Sequence, residues 1–220
     1  MPSCAAILVA SGSSRRMGFD KLAADLDGRP VLRVTLDAFL ACDDVARIFV
    51  VCPPKRFESL LGGAFEKPVV RLDGGRERQD SVRAGLDALT PEDEWVAVHD
   101  GARPLITAAA ISRTLAAAAE TGAAALARPI SETIKRDDGT GLTRSGIPRE
   151  HLWHTETPQV FRTELLRRAY REVARRDTAV TDEVSAMETL DVPTRLVPSS
   201  TPNPKITRAD DLALVRALLA

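Results

Sequence analysis

Cys4-Ala5-Ala6-Ile7-Leu8-Val9-Ala10, running straight into Ser11-Gly12-Ser13-Ser14-Arg15-Arg16-Met17-Gly18-Phe19-Asp20-Lys21, decides how the rest of the chain is read. The apolar half is short and shows no alternation, the mark of a strand buried on both faces. It has no basic flank and is too short for a secretory signal. The second half packs small residues and cations directly behind that strand. Working outward, the same grammar repeats. Helical spacing at 30–41 (Leu32, Leu36, Phe39, Leu40) precedes an apolar run at Ile48–Val51 and another at 69–72. A helix at 79–89 (Val82, Leu86, Leu89) leads to the run Trp95–Val98, and a helix at 107–120 (Ile111, Leu115) to 123–127. A helix at 163–175, a strand at Thr194–Val197 and a helix at 208–219 complete it. Continuous apolar strands alternating with helices predict an α/β fold, a Rossmann-like doubly wound, mostly parallel sheet covered on both faces.

One stretch, about 131–158, breaks the rhythm with Thr, Asp, Gly, Arg and Pro and no helical period. Asp138-Gly139 is a hairpin signal, so this stretch predicts a protruding two-stranded β-arm. An arm with no parent face to bury itself against points to a second subunit; a solvated loop is the plainer alternative. The 220 residues are read as one domain, 1–220, with the arm included.

Lys and Arg total 30 against 31 Asp and Glu, a net charge of −1, and aromatics are 4%. That balance argues against a nucleic-acid partner, whether by a basic footprint or by stacking platforms. Nothing approaches the ~20 apolar residues of a membrane span. Cys4, Cys42 and Cys52 are scattered and odd in number, which predicts reduced thiols, a cytoplasmic location and no metal cluster of protein ligands.

Ligands of doubly wound sheets bind beyond the carboxyl ends of the strands, so the residues after each strand carry the chemistry. Behind the first strand, backbone amides with Arg16 and Lys21 suit a polyphosphate; a solvated basic turn would use the same residues. The segment is neither G-x-G-x-x-G nor a P-loop. Behind 69–72, Asp73-Gly74-Gly75-Arg76-Glu77-Arg78-Gln79-Asp80-Ser81 opens a helix, with the glycines expected at positive φ in a tight turn. Behind the Trp95 strand comes His99-Asp100-Gly101-Ala102-Arg103-Pro104. Asp100 and Arg103 are either a plain ion pair or a hydroxyl acceptor and a phosphate grip; His99 reads as a wall residue. Thr207 with Asp210 reads as the cap of the last helix.

Taken in order, these pieces resemble the methylerythritol phosphate cytidylyltransferases of the non-mevalonate isoprenoid route, over almost the whole chain. The matching pieces are Gly12-Ser13-Ser14-Arg15-Arg16-Met17-Gly18 with Lys21, Gly74-Gly75-x-x-Arg78-x-x-Ser81-Val82 and Val98-His99-Asp100-Gly101-Ala102-Arg103-Pro104. They continue with Glu132-Thr133-Ile134-Lys135, Arg149-x-x-Leu152-Trp153, Thr157-Pro158-Gln159-x-Phe161, Thr181-Asp182-Glu183 and Asn203-x-Lys205-Ile206-Thr207. Departures are Ser11 for an alanine, Ser14 for a glycine, a short run before Lys21, Leu22 for Gln, Gly101 for Ala and His154-Thr155-Glu156 for a small-small-Gln run ahead of Thr157.

The resemblance implies transfer of a cytidylyl group from CTP to a polyol phosphate, methylerythritol 4-phosphate, with release of pyrophosphate, in a homodimer joined through the arm. It implies Arg16 and Lys21 on the triphosphate, with Arg149 and Lys205 also in the catalytic set. Ala10, Ser11, Gly12, Gly75 and Ser81 would line the nucleotide. Asp100, Arg103, Thr133, Thr181 and Lys205 would hold the sugar phosphate, with Arg149 and Thr157 arriving from the partner's arm. Mg2+ would be held mainly by substrate phosphates. Rivals are a ribitol 5-phosphate cytidylyltransferase, a nucleotide-sugar pyrophosphorylase and a non-catalytic nucleotide-binding regulator. An NAD-dependent oxidoreductase is the weakest, for want of its glycine fingerprint.

Overall fold

The computed structural model describes residues 2–12 and 18–219. Its strands are β1 (Cys4–Val9), β2 (Asp25–Leu26), β3 (Arg29–Pro30), β4 (Val45–Val51), β5 (Val69–Leu72), β6 (Trp95–Asp100), β7 (Ala123–Pro129), β8 (Ile134–Asp137), β9 (Thr143–Ile147), β10 (Trp153–Arg162) and β11 (Arg195–Pro198). Its helices are α1 (Val31–Leu40), α2 (Pro54–Leu61), α3 (Arg78–Asp87), α4 (Ala108–Thr121), α5 (Thr163–Arg175), α6 (Glu183–Glu188) and α7 (Ala209–Leu219). Seven strands form the main sheet in the order β11-β7-β10-β6-β1-β4-β5.

The apolar strands divide their residues between two cores, as continuous hydrophobic runs require. Cys4, Ala6 and Leu8 of β1 join Ile48, Val50, Trp95 and Ala97 in a core covered by α1, α4 and α7. Ala5 and Ile7 join Phe49, Val51, Val96 and Val98 beneath α3, α5 and α6. The chain winds outward from β1 through β4 to β5, then returns to lay β6 on the other side of β1, parallel to it. The reversal falls between β1 and β6, and the crevice beyond their carboxyl ends is where such sheets take ligands.

The sheet departs from pure parallel order at one strand. β10 runs antiparallel between β6 and β7. Between the pairs Thr155–Ala127 and Gln159–Ala125 it places Glu156, Thr157 and Pro158 opposite Leu126 alone, so it bulges there. The Thr157-Pro158 peptide is cis. The expected arm is therefore shorter than 131–158: β8 and β9 form a separate two-stranded sheet, while residues from Trp153 onward return to the main sheet. Its tip is a longer loop than Asp138-Gly139 alone implied. Asp138 N–H reaches Leu142 O at 3.0 Å, the Asp138 carboxylate accepts from Thr140, and Gly139 and Gly141 both sit at φ 87°.

Two further expectations change. Gly74 and Gly75 are not at positive φ. They are glycine because of close approach: a Cβ on Gly74 would stand 2.5 Å from Ser11 Cβ, and one on Gly75 2.1 Å from Asp80 Cβ. The last helix is introduced by Asp211 rather than Asp210, its carboxylate accepting from Thr207 N, Thr207 Oγ1 and Arg208 N.

Candidate active site

The crevice between β1 and β6 has two sides. On the first, Ser11 and Ser81 hydroxyls meet at 2.7 Å, and Gly75 N donates to Ser81 Oγ at 3.3 Å. Ser81, on the first turn of α3, is fully buried and is spent on tying this loop to the one behind β5. A capping box between Glu77 and Asp80 holds that turn. Ala10 is buried, Ser11 partly exposed, and Gly12 and Gly75 exposed. A Cβ on Gly12 would meet nothing within 4 Å, so no protein neighbour demands glycine there. Arg16 lies outside the described residues. Lys21 donates from Nζ to Ile206 O at 2.7 Å.

α2 supplies a residue that sequence reading missed. Arg56 donates to Ala10 O at 2.5 Å and to the Asp20 carboxylate at 3.0 Å, joining the two ends of the loop behind β1. α2 is short and partly exposed, and its three helically spaced apolar residues, Phe57, Leu60 and Leu61, cover little more than one turn, too few to announce it.

On the second side lies a cavity of about 180 Å3. Asp100, at the carboxyl end of β6, is its centre and only 7% exposed. Arg78 Nε reaches its Oδ1 at 3.0 Å; Lys205 Nζ reaches Oδ2 at 2.9 Å, with Arg103 Nε at 3.6 Å. Burial alone would raise this carboxyl's pKa, but Arg78, Lys205 and Arg103 outweigh it and hold the group well below the ordinary carboxylate range. Asp100 is thus a counter-ion that gathers cations before it is a hydroxyl acceptor. Arg103 is held by Asn203 O at 2.7 Å, and Asn203 in turn donates to Thr157 O at 3.3 Å.

His99 is the wall residue expected of it. Its Nε2 lies 3.2 Å from Arg103 O and its Nδ1 3.0 Å from Thr157 Oγ1, which also accepts from Asp100 N. Burial pushes its pKa down to about 3. A ring held neutral and enclosed is no acid or base at neutral pH.

Thr157 therefore stands in the sheet of its own chain and reaches the cavity without a partner, because β10 lies beside β6. Thr181 lines the cavity rim just ahead of α6. Thr133 and Arg149 are not brought there. Both are exposed at the root of the arm, where Arg149 donates to Ser131 O. The cavity also holds Glu156, Gln159 and Asp182, which sequence reading did not assign. Burial pushes the Glu156 pKa up. Gln159 accepts from Glu183 N at 3.0 Å and Val184 N at 3.1 Å, docking α6 against β10. Their signal was present in Thr157-Pro158-Gln159 and Thr181-Asp182-Glu183, but pairing between the two motifs is a tertiary fact.

Among the described residues no group of three or more His, Cys, Asp or Glu gathers to cage a metal ion, and no helix is long and apolar enough to cross a membrane. A doubly wound α/β domain with a small-residue loop on one side of its switch point and a pocket of paired cations and carboxylates on the other is built as a transferase of phosphorylated substrates. The model of the family "IspD: 2-C-methyl-D-erythritol 4-phosphate cytidylyltransferase" matches residues 4–220. The chain belongs to that family, and is by membership a nucleotidyltransferase of isoprenoid biosynthesis.

The 2-C-methyl-D-erythritol 4-phosphate cytidylyltransferase of Prochlorococcus marinus (strain MIT 9313) is 39% identical over 219 residues, covering 97% of both chains. The crystal structure of the Thermus thermophilus enzyme of that name superposes with a TM-score of 0.81 at 32% identity, covering 99% of this chain and 98% of that one. The 4-diphosphocytidyl-2C-methyl-D-erythritol synthase of Anaerococcus prevotii gives 0.85 at 26% identity, covering 99% and 96%.

Proposed function

We propose that this chain transfers the cytidylyl group of CTP to 2-C-methyl-D-erythritol 4-phosphate, giving 4-diphosphocytidyl-2-C-methyl-D-erythritol and pyrophosphate, with the two sides of the crevice dividing the work. The observation that carries this is the bond from Lys21 to the carbonyl of Ile206, the residue after Lys205. It hangs the cation of the first loop on the segment that carries the acceptor-side cation. An anionic nucleophile brought to an anionic triphosphate meets opposing cations at that junction.

The acceptor's phosphate has a second pKa near ~6, so most of it is already ionised at neutral pH and needs no base. That agrees with His99, the histidine directly behind Asp100, being buried and neutral. Its phosphate falls to Lys205 and Arg103, and Thr157 and Thr181 face its hydroxyls. The triphosphate falls to Lys21 and Arg16 over the amides of Ala10, Ser11, Gly12 and Gly75, while Ser81 holds that surface in place. Mg2+ belongs to this reading as a companion of the triphosphate, neutralising charge on it. Asp100 is engaged by three cations, and Asp20 by Arg56, so the substrate's own oxygens are its main ligands.

The same reading makes the protein a homodimer. The arm's residues are largely exposed, Leu142 at its tip is 67% exposed, and the arm supplies no residue to either core. Thr133 and Arg149 stand at its root, apart from their own cavity, and serve the partner's. A cytoplasmic setting suits three free, buried thiols; burial pushes Cys4 up to about 12 and Cys52 to about 11.

The test is pyrophosphate release from CTP, Mg2+ and methylerythritol phosphate, run beside UTP, GTP and ATP and beside ribitol 5-phosphate. CTP with methylerythritol phosphate is expected to turn over fastest, and Lys21→Ala to lower kcat by about 10²–10³. No release, faster turnover of ribitol 5-phosphate, or a Lys21→Ala enzyme of normal rate would each overturn part of this reading.

A further inference from the structure

We infer that Arg78 is a positioning residue for the acceptor side: it fixes one oxygen of Asp100 and so decides where Lys205 and Arg103 stand. The inference rests on the reaction proposed above and deepens it. All three guanidinium nitrogens of Arg78 are engaged, Nε to Asp100 Oδ1 at 3.0 Å, Nη1 to Glu183 Oε1 at 2.7 Å and Nη2 to Glu183 Oε2 at 3.0 Å. This fork uses the planar donor geometry that lysine lacks. Glu183 is fully buried and further fixed by Tyr170 OH at 3.0 Å and by Gln159 through its own backbone amide. Arg78 thus hangs from an immobile partner and passes that immobility to Asp100.

The consequence is electrostatic as well as geometric. With Oδ1 occupied by Arg78, Asp100 offers only Oδ2 to Lys205 and Arg103. Arg78, Arg103 and Lys205 face Asp100 and Glu183; with Asp182 and the Glu156–Arg128 pair counted in, the formal charges around the cavity balance, so what an incoming phosphate meets is set by which cations Asp100 leaves free. Asp182 is occupied as the cap of α6, and Glu156 pairs with Arg128 at 3.2 Å. Without Arg78 the Asp100 carboxylate is free to turn both oxygens on Lys205 and Arg103 and to hold them from the substrate. The first turn of α3 carries Arg78 toward this side and Ser81 toward Ser11, so loss of Arg78 need not disturb the nucleotide side.

A purely structural role, docking α6 through the Arg78–Glu183 pair, makes a different forecast. Removing Arg78 alone strands a buried carboxylate, whereas removing both charges is tolerated by folds. The informative protein is therefore the double variant Arg78→Met/Glu183→Gln, beside Glu183→Gln and Arg78→Lys. The double variant is expected to raise KM for methylerythritol phosphate about tenfold or more, through misplacement of Lys205 and Arg103, with KM for CTP and kcat changed less than about threefold. Glu183→Gln, which keeps Arg78 on Asp100 but leaves it one acceptor of its fork, should raise the acceptor KM clearly less than the double variant does, and Arg78→Lys should also fall short of the double variant.

An unchanged acceptor KM in the double variant overturns the inference. So does a parallel rise in both KM values, or a Glu183→Gln enzyme as impaired as the double. Should the double variant not fold, Arg78→Lys decides by the same split between the two KM values. Wild-type protein that releases no pyrophosphate would instead sink the reaction itself.

Discussion

At the scale of single residues, the site uses burial to fix charge states in opposite senses. Asp100 is kept ionised by three cations, while His99, its neighbour in sequence, is kept neutral by enclosure. The ring's two nitrogens are already matched, to Arg103 O and Thr157 Oγ1. The folded chain therefore refuses a proton that the unfolded chain accepts below an ordinary pKa of 6.5, down to about pH 3. In that window the unfolded state binds more protons, so stability falls as pH falls. Between pH 7 and pH 5 the wild type should lose about 2 kcal/mol more than His99→Gln, read from urea melts at the two pH values. Equal pH dependence in the two proteins would show that His99 is protonated in the fold. Asp100, Arg103 and Lys205 were legible as candidates because each follows a strand or a turn at the carboxyl edge. The role of Asp100 was not, since Arg78 and Glu183 are partners 105 residues apart in the chain.

At the scale of elements, α3 is the piece that most tightly joins fold to function, for it packs on β1 while its first turn serves both sides of the crevice. Gly85 makes that packing possible. A Cβ there would lie 2.7 Å from Ile7 Cδ1 and Cγ2 and 2.9 Å from Cγ1. Gly85→Ala should therefore destabilise by about 1–3 kcal/mol despite alanine's better helix propensity. Ile7→Val in the same background should recover part of that loss, so a thermal-melt cycle giving strictly additive effects would count against the contact. The strands and helices read correctly from the sequence, most of them by a repeating apolar pattern, include β1, β4, β5, β6, β7, β11, α1, α3, α4, α5 and α7. What escaped was short or interrupted. β10 opens with Trp153-His154-Thr155-Glu156-Thr157-Pro158, and its bulge abolishes the alternation just where it enters the main sheet. α2 is short and partly exposed, and α6 has only 6 residues. Glycines 74 and 75 were recognised as structural for the wrong reason, because crowding from Ser11 and Asp80 is a tertiary property.

At the scale of the whole molecule, most of the described residues of the proposed site meet in one crevice, and two stand apart from it. Lys21, Asp100, Arg103, Thr157, Thr181 and Lys205 converge at one crevice, while Thr133 and Arg149 stand outside it on an arm that buries nothing in its own chain. The proposed twofold dimer, with each arm reaching the other's crevice, would resolve that separation and would cover Leu142, which is exposed in the single chain. Subunit mixing discriminates this from a site complete in one chain. Lys21→Ala disables the subunit's own crevice; Arg149→Ala, if it acts across the interface, disables the partner's. In a mixed dimer both lesions then fall on one site and the other is intact. Random reassortment of equal amounts makes about half the dimers mixed, each with one working site of two, so activity should recover to about a quarter of wild type. Were Arg149 to serve its own chain, every site in the mixture would carry one lesion and no recovery would occur. Sedimentation of the same samples, expected to give dimers for both parents and the mixture, separates failed assembly from failed complementation.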